Sequence, residues 1–192
     1  MHDNLTIATV LNDTFHSVFT KENNLNIPIP QSIFLGSEDD NLSIDEVTGH
    51  DVLKYLQKVD PNKSTGPDQI SPRVIRECHR QLVFPITKIF NKSLTECRVP
   101  SQWKLANITP IFKKGDKNRA TNYRPISLTS VLSKILEKIV RDKITLFLEK
   151  HNLITDNQHG FRNKRSCLTN LLDFFKNIHD NWDSKCHQMS FI

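Results

Sequence analysis

The chain has 192 residues, of which 37% are hydrophobic and 24% charged, and it carries a formal net charge of +5. That length accommodates one domain with a real core, or one and a half small ones, and the composition is that of a soluble globular class. No apolar run approaches the ~20 residues of a membrane helix, and the N-terminal MHDNLTIATV lacks the basic start and long apolar run of a signal peptide.

The four cysteines are Cys78, Cys97, Cys167 and Cys186. They form no C-x-x-C pair, and no histidine stands at zinc-finger spacing from two of them. They read as reduced thiols in an intracellular protein, cytoplasmic or nuclear. The charge is unevenly placed. Residues 1–100 hold 10 Lys/Arg against 13 Asp/Glu, residues 101–165 hold 14 against 5, a net of +9, and residues 166–192 hold 2 against 3. In the middle third the cations interleave with Trp103, Phe112, Tyr123 and Phe161. That is the pattern of a nucleic-acid footprint rather than of a merely solvated surface.

Leu5, Ala8, Leu11, Phe15, Val18 and Phe19 recur every three or four residues and predict an amphipathic helix over 4–20. Residues 21–41, with Pro28, Pro30, Gly36 and the acidic run Glu38, Asp39, Asp40, read as a linker. Ser43 and Glu46 have capping-box spacing, and Leu42 with Val47 can form a hydrophobic staple. They predict a helix to about Lys58 that buries Val47, Leu53 and Leu56. Pro61 to Asp68 is a turn-rich loop. Ser71 then caps a helix with Pro72 at its first position, a favoured place for proline. Leu82 to Cys97 continues helical, with a kink expected near Pro85.

Residues 104–113 and 122–128 are the strand candidates, joined by a Gly-Asp-Lys-Asn loop. Residues 130–150 form the strongest helix, with one wide apolar stripe from Val131 to Leu148 and with Lys134, Lys138, Arg141 and Lys143 on the remainder. A loop carries Gln158, His159, Gly160, Phe161 and Arg162. A last helix, about 166–182, is expected to bury Leu168, Leu171, Leu172, Phe175 and Ile178, with Trp182 in core packing near its end. Residues 187–192 look like the start of another strand. There is no internal repeat and no low-complexity tract.

One constellation stands out. The apolar run Ile108 to Phe112 delivers Lys113 and Lys114 onto a Gly115-Asp116 turn, and a second extended run presents Arg124 just before Pro125. Lysine acts as a point charge on phosphate, and arginine offers a fixed fork to phosphate oxygens. Two lysines before a turn are, by residue chemistry alone, more often an exposed hairpin tip. Other patterns fail. The loop from Lys63 to Asp68 has one glycine, its lysine comes first and no strand feeds it, so it is a rigid turn and not a phosphate loop. Asp39-Asp40 belongs to a solvated acidic run rather than a two-metal site.

Three stretches together resemble a known family. PNKSTGPDQISP (61–72), VPSQWKLANITPIFKKGDKNRATNYRPISLTSVLSKILEKI (99–139) and QHGFRNKRSCLTNLL (158–172) are similar, in order and spacing, to non-LTR retrotransposon reverse transcriptases, especially the jockey-like group. The resemblance runs from about residue 3 to the end. It implies an α+β, helix-rich, incomplete fingers region of a right-hand polymerase with a short two-stranded hairpin. By that likeness residues 1–41 are an N-terminal helix and linker, 42–100 a helical extension, and 101–192 the truncated fingers. Lys113 or Lys114, with Arg124, would hold the triphosphate of the incoming nucleotide. Gln158, Gly160, Phe161 and Arg162 would lie along the template, with Lys164 and Arg165 on its backbone. The expected partners are an RNA or DNA template-primer, a nucleoside triphosphate and the missing palm and thumb, with no membrane. The family's first catalytic aspartate follows the strand that begins here near Met189. The resemblance therefore implies no catalytic residue, metal ligand or cofactor in this chain, Mg²⁺ belonging to the complete enzyme. The alternatives are a non-catalytic nucleic-acid-binding module domesticated from a retroelement, or a non-functional relic.

Overall fold

A computed structural model describes residues 3–20, 42–44, 46–160, 162 and 164–183. The linker 21–41, Phe161, Cys186 and the expected strand at 187–192 lie outside the described residues. The chain separates into two units, one ending at Ile144 and one starting at Thr145. The fold is helix-rich with a two-stranded antiparallel sheet.

In the first unit, α1 spans Asn4–Ser17, capped by Asp3, and buries none of its residues. Of the expected stripe, Leu5 and Ala8 are exposed, Leu11 and Phe15 are half-buried, and Val18 and Phe19 lie beyond the helix. The next helix, α2, spans Gly49–Leu56 and starts later than Ser43. The reason is local. The Thr48 hydroxyl accepts the Asp51 N–H at 3.1 Å, and the Asp51 carboxylate accepts the Thr48 N–H at 3.1 Å. This reciprocal box sits beside the residues that must be buried, so it sets the start. Val52 and Leu56 face inward, while Leu53 is only half-buried. Val47 remains ahead of the helix and is fully buried. Its two backbone groups are served by Asn91, which accepts from Val47 N at 2.8 Å and donates to Val47 O at 3.0 Å.

Helix α3 spans Pro72–Glu77 with proline at its first position, although the Ser71 side chain makes no cap hydrogen bond. Helix α4 spans His79–Thr95 and runs through Pro85, which is exposed. Water can therefore serve the carbonyl that the missing N–H leaves free. The helix ends in a Schellman turn, with Cys97 N donating to Leu94 O at 3.1 Å and Arg98 N to Ser93 O at 3.0 Å. Cys97 takes the left-handed position usually given to glycine, at φ 49°.

The core joins Val47, Val52, Leu56, Ile75, Ile86 and Phe90 to Val131, Ile135, Leu136 and Ile139 of α5 (Val131–Lys150). Trp103 packs edge-on against Phe90, ring centroids 5.7 Å apart. Tyr55 donates its hydroxyl to Asp142, and Lys143 donates to the Glu46 carbonyl. Burial and the Asp142 bond together push the Tyr55 phenol up to about 12. The two strands are β1 (Asn107–Phe112) and β2 (Tyr123–Leu128).

The second unit carries α6, Cys167–Asp183. Here the sequence expectation is corrected. Leu168, Leu171, Leu172, Phe175 and Ile178 are exposed, and Trp182 is 80% exposed rather than packed. Their periodicity is that of a burying face, but among the described residues no element covers it.

Candidate nucleic-acid interface

One candidate region, in the first unit, is the β1–β2 hairpin. Its register pairs Ile111 with Arg124, Phe112 with Tyr123 and Pro110 with Pro125. Lys113 N donates to Asn122 O at 2.8 Å, so the ladder extends one pair past β1. Counting back by two, 111/124 is a hydrogen-bonded pair and Pro110/Pro125 is not. Both prolines thus fall where their missing N–H would have pointed away from the partner strand, and the two outer edges are blunted.

The same count separates the two lysines. Side chains alternate along an extended chain, so Lys113 shares the face of Ile111 and Arg124. Lys113 and Arg124 are diagonal neighbours across the strands, ~7–8 Å apart at their backbones. Lys114 lies past the last ladder bond, in the bend that leads to Gly115. Among the described residues no carboxylate forms an ion pair with Lys113, Lys114 or Arg124, and all three are exposed.

The tip is rigid for reasons written in its residues. Asp116 accepts the Asn118 N–H at 2.9 Å, Asn122 Nδ2 donates to Asp116 O at 2.8 Å, and Tyr123 donates its hydroxyl to Lys117 O at 3.0 Å. Gly115 has φ 93°, and a Cβ there would stand 2.8 Å from Asn122 Nδ2. Glycine is required at that turn. Lys117 lies over the Phe112 ring at 5.7 Å.

A separate candidate region, in the second unit, is the loop before α6. Gln158 is exposed and donates to Gly160 O at 3.1 Å. Arg162 donates to Thr155 O at 3.1 Å, with its guanidinium 3.9 Å from Asp156. Arg165 donates to Asp173 at 3.3 Å and lies 3.8 Å from Asp156. These two arginines therefore already have protein partners, whereas Lys164 is exposed and adopts φ 60°. His159, which the sequence reading did not single out, is 6% exposed. A histidine inside a polar loop gives no burial signal by periodicity, and only the fold identifies it.

Among the described residues no three His, Cys, Asp or Glu side chains group to hold a metal, and no helix is long and apolar enough to cross a membrane. Cys78, Cys97 and Cys167 are free thiols.

Residues 111–191 match the family described as reverse transcriptase (RNA-dependent DNA polymerase). The chain is 31% identical over 136 residues to the probable RNA-directed DNA polymerase from transposon X-element of Drosophila melanogaster, covering 70% of this chain and 15% of that protein. It is 27% identical over 146 residues to the probable RNA-directed DNA polymerase from transposon BS of the same species, covering 76% and 16%. To the RNA-directed DNA polymerase from mobile element jockey of Drosophila funebris it is 33% identical over 122 residues, covering 63% and 13%. The matched stretch takes in both the hairpin's second half and the loop before α6. The chain belongs with the reverse transcriptases of non-LTR retrotransposons, of whose length it spans a small part.

Proposed function

We propose that this segment is part of the fingers of a right-hand polymerase and positions nucleic acid and nucleotide for RNA-directed DNA synthesis in a larger protein. In this reading Lys113 and Arg124 hold the triphosphate of the incoming nucleotide. Lys114 contributes at most to the surrounding field, since it lies past the last ladder bond, in the bend before Gly115. Gln158, Gly160 and Lys164 run along the template strand, with Phe161 and Arg162 beside them and Arg165 anchoring the loop. The family implies a divalent metal in the full enzyme. The described residues offer no seat for it, and no part of this reading runs through one.

The observation that carries the reading is the strand register, which sets an exposed arginine and an exposed lysine diagonally on one face, with no carboxylate paired to either among the described residues. Two fixed cations so spaced can neutralise adjacent phosphates without first breaking ion pairs of their own. The test is a titration of the chain with a deoxynucleoside triphosphate at low salt. Lys113→Ala and Arg124→Ala should each weaken binding on the order of tenfold, as for a lost charged hydrogen bond. Lys114→Ala should cost no more than about twofold, the level of an exposed charge. Equal losses at Lys113 and Lys114 would refute the shared-face argument.

A further inference from the structure

The loop before α6 has a buried polar pin that the proposed contacts do not use. His159 is 6% exposed in a stretch whose neighbours Gln158 and Gly160 are exposed. Its Nδ1 lies 2.9 Å from Thr169 Oγ1, and its Nε2 lies 3.2 Å from Asp173 Oδ2. Thr169 and Asp173 are four residues apart on α6, so they stand one above the other on the same helix face. One imidazole therefore spans a full turn of α6. A carboxylate only accepts, so Nε2 is the nitrogen that carries a proton toward Asp173.

Both partners are themselves fixed. Thr169 N donates to Ser166 Oγ at 3.2 Å, and Ser166 N donates to Thr169 Oγ1 at 2.9 Å. This reciprocal cap holds the Thr169 side chain in one rotamer. The same Asp173 oxygen, Oδ2, is also held by Arg165 at 3.3 Å. The loop's far end carries a second mark of imposed shape. Lys164 sits in the left-handed region at φ 60°, a conformation that a lysine holds only where the surroundings dictate it.

We propose that His159 is the positioning residue of this loop. Its bridge to Thr169 and Asp173 holds Gln158, Gly160 and Lys164 in the arrangement that meets a single-stranded RNA template. This rests on the template reading given above. The imidazole touches no nucleic acid. It acts by sparing the loop the ordering cost that a free segment meets on binding.

The test uses the 192-residue chain and a fluorescein-labelled oligouridine RNA, followed by anisotropy at low salt. His159→Ala should weaken binding on the order of tenfold, the scale of a lost hydrogen bond to a charged group. His159→Gln keeps an N–H that can reach Asp173 and should recover most of that loss. Asp173→Ala should reproduce it, and the double variant should lose no more than either single one, as for two groups acting through one contact. Amide exchange supplies the second readout. Exchange across 155–165 should quicken in His159→Ala, while Val52 to Leu56 in the other unit exchange as in the parent chain. Parent-like affinity together with parent-like loop exchange in His159→Ala would overturn the inference. If the parent chain binds no RNA, the template reading falls by itself, and loop exchange then decides the pin: quickened exchange upholds it, and unchanged exchange removes it.

Discussion

Gly66→Ala tests how closely the 61–68 loop approaches the start of α5. Gly66 is buried, and a Cβ built on it would stand 2.7 Å from Ser130 N, 2.7 Å from the Thr129 carbonyl carbon and 2.8 Å from Thr129 O. All three are backbone atoms, so no side chain can swing away. The positive-φ residues do not include Gly66, so an alanine there meets a steric obstacle and no conformational one. Overpacking of this kind costs about 1–3 kcal/mol. A contact under 3 Å against backbone belongs at the upper end, and the smaller entropy of the unfolded alanine chain returns about 0.4–1 kcal/mol. The expected net loss is about 2 kcal/mol, which lowers Tm by about 4–8 °C in a chain of this size. Gly49→Ala is the control. Its Cβ would meet only the Val83 side chain at 3.3 Å and the Thr87 hydroxyl at 4.0 Å, at the first position of α2. That change should stay within about 0.5 kcal/mol of the parent. Urea unfolding and thermal melts followed by circular dichroism measure both. If Gly66→Ala proved as stable as Gly49→Ala, the loop would not lie against the α5 backbone and the reasoning would fail.

Asn91→Ala strips both partners from the buried Val47 backbone and should cost about 2–4 kcal/mol in urea unfolding. Asn91→Asp should not restore the stability, because a carboxylate cannot donate to Val47 O. Tyr55 has its phenol raised to about 12 in the folded chain, so its contribution is full below pH ~10 and is lost as pH rises through the folded value. Tyr55→Phe should flatten that alkaline loss, as read by denaturation midpoints across alkaline pH. Asp51 behaves in the opposite sense. Burial works against its charge, but the two Thr48 hydrogen bonds, Lys143 and His50 outweigh it and hold the carboxyl below its usual range. Its contribution is therefore present above pH ~4 and lost as pH falls through the lower folded value, and Asp51→Asn should blunt the acid limb. Residues 101–165 carry a net of +9. If ~4–6 phosphates are neutralised on duplex DNA, the log–log salt dependence of binding should have a slope of roughly −4 to −5, and a slope near zero would remove the electrostatic footprint.

Patterns that depend on neighbouring residues were legible in the chain itself. The stripe from Val131 to Leu148 predicts a helix over 130–150, and α5 spans Val131–Lys150, because a helical period sustained over that length leaves little choice of face. Residues 104–113 and 122–128 predict a hairpin, and β1 and β2 lie within those bounds. The motifs at 61–72, 99–139 and 158–172 carry the family, since several short stretches in fixed order are hard to meet by chance. The choice of helix start was settled elsewhere. The sequence points to Ser43 with Glu46 as the capping box, and α2 instead uses Thr48 with Asp51, beside Val52 and Leu56, which the core requires inside. The α6 stripe reads as buried and is exposed, because amphipathicity states what a face prefers and not whether a partner is there. Lys113 and Lys114 are equivalent as letters. Only cross-strand pairing separates them, since the bond to Asn122 carries the ladder, and with it the face of Arg124, as far as Lys113 and not to Lys114. His159 is polar, loop-bound and unremarkable in sequence. Its burial exists only because α6 brings Thr169 and Asp173 to it one turn apart, and hydrogen bonds between residues ten and fourteen positions distant are a property of the folded chain alone.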